Sequence, residues 1–353
     1  MLRPFQTALA LAAGLLSLTA FAQGQDFTVG TATAAPGQKA TGYLEVPAGS
    51  DPALAIPVVV VHGARPGPTL ALVAGAHGTE YASIVALEKL IPMLDPARIA
   101  GTVIVVPLLN VNSFEQKVPH LNPVDGKNMN RFYPGDPRGT QTERASWVMT
   151  KHVVERADYL IDMHGGDLDE NLRPYSYWLK SGNEKLDTVS KAMNLAFGLP
   201  YIIITTGRNL DPAHSRYLDV NAASRGKPAI TVEAGYAGTV KSEDVRALVH
   251  GVFGVMRYLK MMAGVVHPVE HPVWFERVVT PASEATGVFY PLVKKNTYVV
   301  AGTELGYVTD FFGKKIFTAR AQVSGIVLYV CAVPSMKKGG TIADIGVVAA
   351  SAP

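Results

Sequence analysis

Residues 70–83, Leu-Ala-Leu-Val-Ala-Gly-Ala-His-Gly-Thr-Glu-Tyr-Ala-Ser, constrain the fold more than any other stretch. An unbroken apolar run ends at Gly75, and His77 and Glu80 follow. Ile84, Leu87, Leu90 and Ile91 then recur on one side of a helix. The pattern is a buried strand, a glycine-bent turn and a helix start. In open α/β sheets the loops at the carboxyl ends of strands are where ligands bind. Residues 101–109 are a second continuous apolar run, as expected for a sheet covered on both faces. The layout then recurs: residues 159–163 form a short apolar run ending in His164-Gly-Gly-Asp167, and residues 228–232 deliver Glu233 into Ala-Gly235. Taken alone, His77 and Glu80 fit equally a solvated turn histidine and a first-turn glutamate favoured by the helix dipole. Neighbouring strand ends would bring His77, Glu80 and His164 together.

The two ends of the chain differ from this middle. Residues 1–22 read as an export signal, with Arg3, an apolar run over 8–18 and the small-x-small site Ala20-Phe21-Ala22. That run is too short to span a bilayer, and no later run is long enough. The mature chain is expected outside the cytoplasm, and a bacterial periplasm fits. Cys331 is the only cysteine, which excludes an internal disulfide, and a net charge of +3 leaves no nucleic-acid footprint. Residues 23–265 are expected to form an α/β catalytic domain. Residues 266–353 lack helical periodicity and show short β-runs with glycine turns, the pattern of a small barrel or sandwich. The polar connection from Asn110 to Gly135 is long enough to suggest a functional loop. Helices are expected over residues 142–157, 186–197 and 242–262.

Ordered motifs carry a more specific resemblance. They are Pro66-Gly67-Pro68, Gly75-Ala-His77-Gly-Thr-Glu80-Tyr81, Gly101-Thr-Val, Asp125-Gly-Lys-Asn-Met-Asn130-Arg131-Phe-Tyr-Pro-Gly135, Asp162-Met-His164-Gly-Gly-Asp167 and Thr231-Val-Glu233-Ala-Gly235. From about residue 40 to its end, the chain resembles the succinylglutamate desuccinylase/aspartoacylase family. These are zinc hydrolases with the fold of the metallo-carboxypeptidases. The resemblance implies a mixed sheet with helices on both faces, a C-terminal barrel-like module and one zinc ion per chain. It assigns His77, Glu80 and His164 as metal ligands, Glu233 as general acid/base, and Asn130 and Arg131 as the grip on a substrate carboxylate. The residue types suit these roles. Two histidines and one carboxylate leave a zinc position open for water, and arginine holds a carboxylate through two parallel hydrogen bonds. Asp162 is placed either to orient a ligand histidine or to cap its strand.

One departure stands out. The family's oxyanion arginine, expected shortly before the Pro-x-Asp-Gly run, is absent; the segment reads Pro119-His120-Leu121-Asn122-Pro123. His120, zinc alone, or one of Arg173, Arg208 and Arg216 is left to fill the role. Tyr236, Tyr290 and Tyr307 are candidates for contact with substrate. His62, His152, His214 and His250 lack a paired ligand motif, and Met336-Lys337-Lys338 resembles a carrier lysine in fold only. The expected function is an exported zinc amidohydrolase acting on an N-acyl amino acid or short peptide. A metallo-carboxypeptidase or murein-peptide amidase is the alternative, and a binding protein without catalysis is a third reading.

Overall fold

The computed structural model describes residues 24–353; the export signal expected over residues 1–22 lies outside the described residues. A short hairpin of β1 (Phe27–Val29) and β2 (Ala32–Ala34) precedes β3 (Gln38–Val46), β4 (Leu54–His62) and β5 (Arg65–Ala74). Then come α1 (Tyr81–Met93), β6 (Ala100–Val106), α2 (Val111–Gln116), α3 (Gln141–Met149), β7 (Tyr159–His164), β8 (Glu170–Leu172), β9 (Tyr175–Leu179), α4 (Glu184–Phe197), β10 (Tyr201–Thr205), α5 (Leu218–Ala223), β11 (Ala229–Glu233) and α6 (Ser242–Tyr258). The C-terminal segment is all β: β12 (Val273–Val279), β13 (Gly287–Pro291), β14 (Tyr298–Val299), β15 (Glu304–Thr309), β16 (Lys315–Arg320), β17 (Gly325–Cys331), β18 (Ser335–Met336) and β19 (Ala343–Val348).

One mixed sheet of 13 strands organises the molecule, in the order β14-β17-β19-β12-β10-β9-β11-β7-β5-β6-β4-β3, with β8 pairing β17 at the side. At its centre β11, β7, β5 and β6 run parallel. The apolar run of β5 alternates across the sheet as a pleated strand must. Leu70, Leu72 and Ala74 pack with Leu87, Leu90, Met193, Leu248 and Val252 from α1, α4 and α6. Ala71 and Val73 face the opposite layer, with Met149, Val153, Leu218 and Ala222. The sheet is therefore covered on both faces, as its apolar runs require. Truncating a fully buried leucine such as Leu72 to alanine costs about 2–5 kcal/mol.

The sheet does not stop where the composition changes. Strand β12 pairs in parallel with β10, Tyr201 opposite Val273, and in antiparallel with β19. A separate four-stranded sheet, β16-β15-β13-β18, packs over a core that includes Phe275, Phe289, Leu305, Leu328 and Ile345.

Two helices are shorter than their periodicity predicts. The run over 142–157 is regular only to Met149 and continues as a π turn over Thr150–Val154. There the Thr150 hydroxyl donates to the Ser146 and Pro134 carbonyls, both at 2.9 Å, competing with the regular ladder. Helix α6 ends at Tyr258, and Lys260 adopts φ 58°, closing the turn four residues before the apolar pattern fades. The polar connection before α3 is ordered by its own side chains. Asp125 accepts from the Thr142 backbone N–H and hydroxyl, both at 2.8 Å. Thr140 and Glu143 form a capping box at the helix start.

Candidate active site

The parallel strands β5, β7 and β11 all end at the same edge of the sheet. Register places Ala74 opposite Met163, and His164 opposite Glu233. Chain direction alone thus carries the His77–Glu80 turn, His164 and Glu233 to one place. The turns are tight. Gly75 sits at φ 69°, where an L side chain is strained, and a Cβ there would meet Leu108 Cδ1 at 2.9 Å. The loops after β7 and β11 touch backbone to backbone, so that a Cβ on Gly235 would lie 2.4 Å from the Gly166 nitrogen.

Glu80 bridges the two histidines. Its Oε1 lies 2.6 Å from His77 Nδ1 and its Oε2 lies 2.9 Å from His164 Nδ1. One donor atom from each of the three falls within 4.8 Å of the others, a spacing that fits a metal ion. The far nitrogens are also held. His77 Nε2 is 3.1 Å from Asn128 Oδ1, and His164 Nε2 is 3.2 Å from Asp162 Oδ2. Such support behind a histidine fixes its tautomer and orientation, and Asp162 stands where it would hold the His164 ring.

The electrostatics suit a cation. Burial works to raise the Glu80 carboxyl, but His164 and His77 outweigh it and hold it down at about 2. Burial works to lower His164, and Asp162 and Glu80 push it well above its ordinary value instead. Buried negative charge gathered around two imidazoles is what a divalent ion would satisfy, and a His-Glu-His donor set suits zinc.

A cavity of about 760 Å³ opens over this group, and His77, Glu80, His164 and Glu233 all line it. The Glu233 side chain makes no hydrogen bond among the described residues. Burial, with Glu80, Glu170 and Asp162 nearby, holds its carboxyl well above the ordinary range against the pull of His164. Asn130 is engaged by the protein: its Oδ1 accepts from Leu218 N–H at 2.8 Å, and its Nδ2 faces His164 Nε2 at 3.1 Å and Asp162 Oδ2 at 3.3 Å. Arg131 donates from Nη1 to the Asn130 carbonyl at 2.7 Å and lines the cavity as well as the adjoining cleft.

His120 also lines the cavity, its ring 6.1 Å from that of His77. Its Nε2 is 2.8 Å from Asp169 Oδ1 and its Nδ1 is 3.2 Å from Asp167 Oδ2. Burial works to lower its pKa, but the bond to Asp169 and the charges of Asp167 and Glu170 outweigh it and raise the ring to about 9. A charged imidazole thus stands in the segment where the family arginine was expected. Of the candidate arginines only Arg208 lines the cavity. Arg173 lies over the Tyr201 ring at 3.5 Å, and Arg216 faces a separate cleft.

The tyrosine candidates need correction. Tyr290 and Tyr307 stack on each other 5.0 Å apart, and Tyr236 lies under Lys241. The tyrosines lining the cavity are Tyr175, Tyr177, Tyr217 and Tyr329. Sequence reasoning also missed Asn128, although it stands inside the Asp125–Arg131 motif. Glu170 and Asp344 were missed as cavity residues because nothing local marks them, and Lys337 was noted only for its carrier-like run.

Comparison with known proteins identifies a family and similar folds. Residues 66–259 match the model of the succinylglutamate desuccinylase/aspartoacylase catalytic domain. The N-alpha-acetyl-L-2,4-diaminobutyric acid deacetylase of Halomonas elongata is 28% identical over 322 residues, covering 88% of this chain and 92% of its own. The crystal structure of a succinylglutamate desuccinylase/aspartoacylase from Rhodobacter sphaeroides is similar with a TM-score of 0.78 and 24% identity, over 89% of this chain and 96% of that one. The product-bound ectoine utilization protein EutE (DoeB) from Ruegeria pomeroyi gives 0.79 and 24%, over 88% and 95%. At such identity the two structures speak for the fold.

Proposed function

The chain belongs to the succinylglutamate desuccinylase/aspartoacylase family, and from that premise we propose that it is a zinc-dependent hydrolase removing the acyl group from a small N-acyl amino acid. The observation that carries this reading is Glu233, a half-buried carboxyl without a hydrogen-bond partner among the described residues, lining the same cavity as His77, Glu80 and His164. When bound, zinc supplies an activated water and polarises the scissile carbonyl. Glu233 takes the proton from the attacking water on its free carboxylate oxygen and returns it to the leaving nitrogen, so that carboxylate and amine are released. Burial and the neighbouring carboxylates raise the Glu233 carboxyl, which makes it a stronger base for that exchange. Arg131 orients the substrate through a carboxylate. His120, fixed as a cation by Asp167 and Asp169, faces the developing negative charge.

The C-terminal segment supports a small substrate. Tyr329, Met336, Lys337 and Asp344 wall one side of the cavity, which argues against a metallo-carboxypeptidase or murein-peptide amidase needing an open groove. Asp169, Glu170 and Asp344 on that side would suit a substrate with a second amino group. N-acetyl-L-2,4-diaminobutyrate, named for the Halomonas relative, is therefore the first compound to test. The zinc-loaded protein should release free amine from it or from another N-acetyl amino acid, and chelation should stop the release. No turnover across a broad panel would count against the reading. Export remains part of the proposal, supported by residues 1–22; N-terminal sequencing of the secreted protein should begin near Gln23, and an intact Met1 would remove it.

A further inference from the structure

A second arginine stands beside Arg131. The Arg131 guanidinium carbon lies 4.7 Å from the centre of the Tyr217 ring, and that of Arg208 lies 4.2 Å from the same centre. Arg131, Arg208 and Tyr217 all line the active-site cavity, and Arg131 also borders the neighbouring cleft that Arg216 faces. Among the described residues neither arginine has a carboxylate within ion-pair range, whereas Arg144, Arg225 and Arg320 pair with Asp51, Glu155 and Glu304. Arg208 makes no hydrogen bond to the described protein at all. Asp219 is the acid whose charge Arg208 feels, but it lies outside ion-pair range of the guanidinium.

The arrangement is built rather than incidental. The segments carrying Arg131 and Tyr217 are tied together by reciprocal backbone bonds, Tyr133 N–H to Arg216 O at 3.3 Å and Arg216 N–H to Tyr133 O at 2.8 Å. The Asn130 side chain fastens Leu218 from the other side. Two like charges on one ring repel each other, and an anion between them removes that repulsion. Their carbons lie 4.7 and 4.2 Å from one ring centre, and a carboxylate reaching both would gain a charge-assisted hydrogen bond from each.

We propose that Arg131 and Arg208, both stacked on Tyr217, form a two-guanidinium seat for the free carboxylate of the acyl amino acid, and that Arg208 makes this carboxylate obligatory. The proposal rests on the deacylase reading and names what its site selects. The test compares N-acetyl-L-2,4-diaminobutyrate with its carboxamide, using calorimetric binding to the zinc-loaded Glu233→Gln protein and turnover by the otherwise wild-type enzyme. The acid should bind at least about 10-fold more tightly than the carboxamide. Adding Arg208→Gln should weaken the acid about 10–100-fold and leave the carboxamide unchanged. In turnover, Arg208→Gln should raise KM for the acid by a similar factor with kcat within about 3-fold, because the contact is equal in ground and transition states. Arg208→Lys should fall between, keeping the charge without the planar fork. Equal binding of acid and carboxamide, or an acid affinity unmoved by Arg208→Gln, overturns the seat while leaving the deacylase reading intact. The binding pattern without turnover of any acyl amino acid would sink the deacylase reading and keep the seat.

Discussion

Asp162 and His164 stand two residues apart on β7 and face each other, Asp162 Oδ2 lying 3.2 Å from His164 Nε2. Alternate residues of a strand share a face, so the pleat itself puts the carboxylate behind the imidazole. His164 Nδ1 is left turned towards Glu80. Asp162→Asn keeps the shape and removes the charge. Zinc affinity, measured by competition with a chelator, should fall about 10–100-fold, as is usual when the partner behind a ligand histidine is lost. Unchanged affinity would show that the carboxylate caps the strand instead. His164→Ala should lose most bound metal outright, because two ligands hold zinc poorly.

Glu233 carries the proton transfer in the proposed reaction, and its substitution separates chemistry from metal binding. In Glu233→Gln, zinc stoichiometry should match the wild type while kcat falls about 10²–10⁴-fold. Stability should move the other way. A carboxyl held above its ordinary pKa is destabilising when ionised, and that cost grows as pH rises above the unfolded value. The metal-free glutamine variant should therefore melt higher than the metal-free wild type at pH 8. A loss of metal together with activity would place Glu233 among the ligands.

What the sequence shows and hides follows from locality. The strand-turn-helix unit at residues 70–83, the second histidine strand end and Glu233 are legible because each is one local pattern, and parallel pairing brings such patterns to one edge. The long polar loop is legible as functional through its turn chemistry, since Asp125, Asn122 and Thr140 bond to nearby backbone or helix-start groups. The cavity's far wall is not legible. Glu170 on β8 and Asp344 on β19 arrive there through pairing with β17 and β12, and Lys337 follows β18, which pairs with β13, all contacts of long sequence separation that no window contains. Arg208 carries no local signal either, and its meaning comes only from the ring it shares with Arg131.

His120 links stability to pH. Its ordinary pKa of 6.5 is raised to about 9 in the fold. Below pH 6.5 the ring is charged in folded and unfolded chains alike, and its contacts with Asp167 and Asp169 contribute in full. That contribution falls as pH rises from 6.5 and is gone once pH passes about 9. The ring is 36% exposed, so solvent screening holds the effect to about 1 kcal/mol. Chemical denaturation of wild type and His120→Gln should show a difference of that size at pH 6 that vanishes by pH 10. A difference constant across the range would mean packing alone is at stake.

The contact between Gly166 and Gly235 joins the loop after His164 to the loop after Glu233. A methyl group on Gly235 would lie 2.4 Å from the Gly166 nitrogen and 3.2 Å from the Gly165 carbonyl carbon, both backbone atoms that no rotamer change relieves. Gly235→Ala must therefore part the two strand ends, at about 1–3 kcal/mol for the forced shift. Glu233 is two residues away and would move with its loop. A displacement near 1 Å at a reacting group costs about 10²-fold in rate. His164 lies one residue before Gly165 and would shift as well, so the variant should melt several degrees lower, bind zinc less tightly and lose about two orders of magnitude in kcat. Wild-type kcat in a folded Gly235→Ala protein would show that Glu233 is positioned independently of this contact.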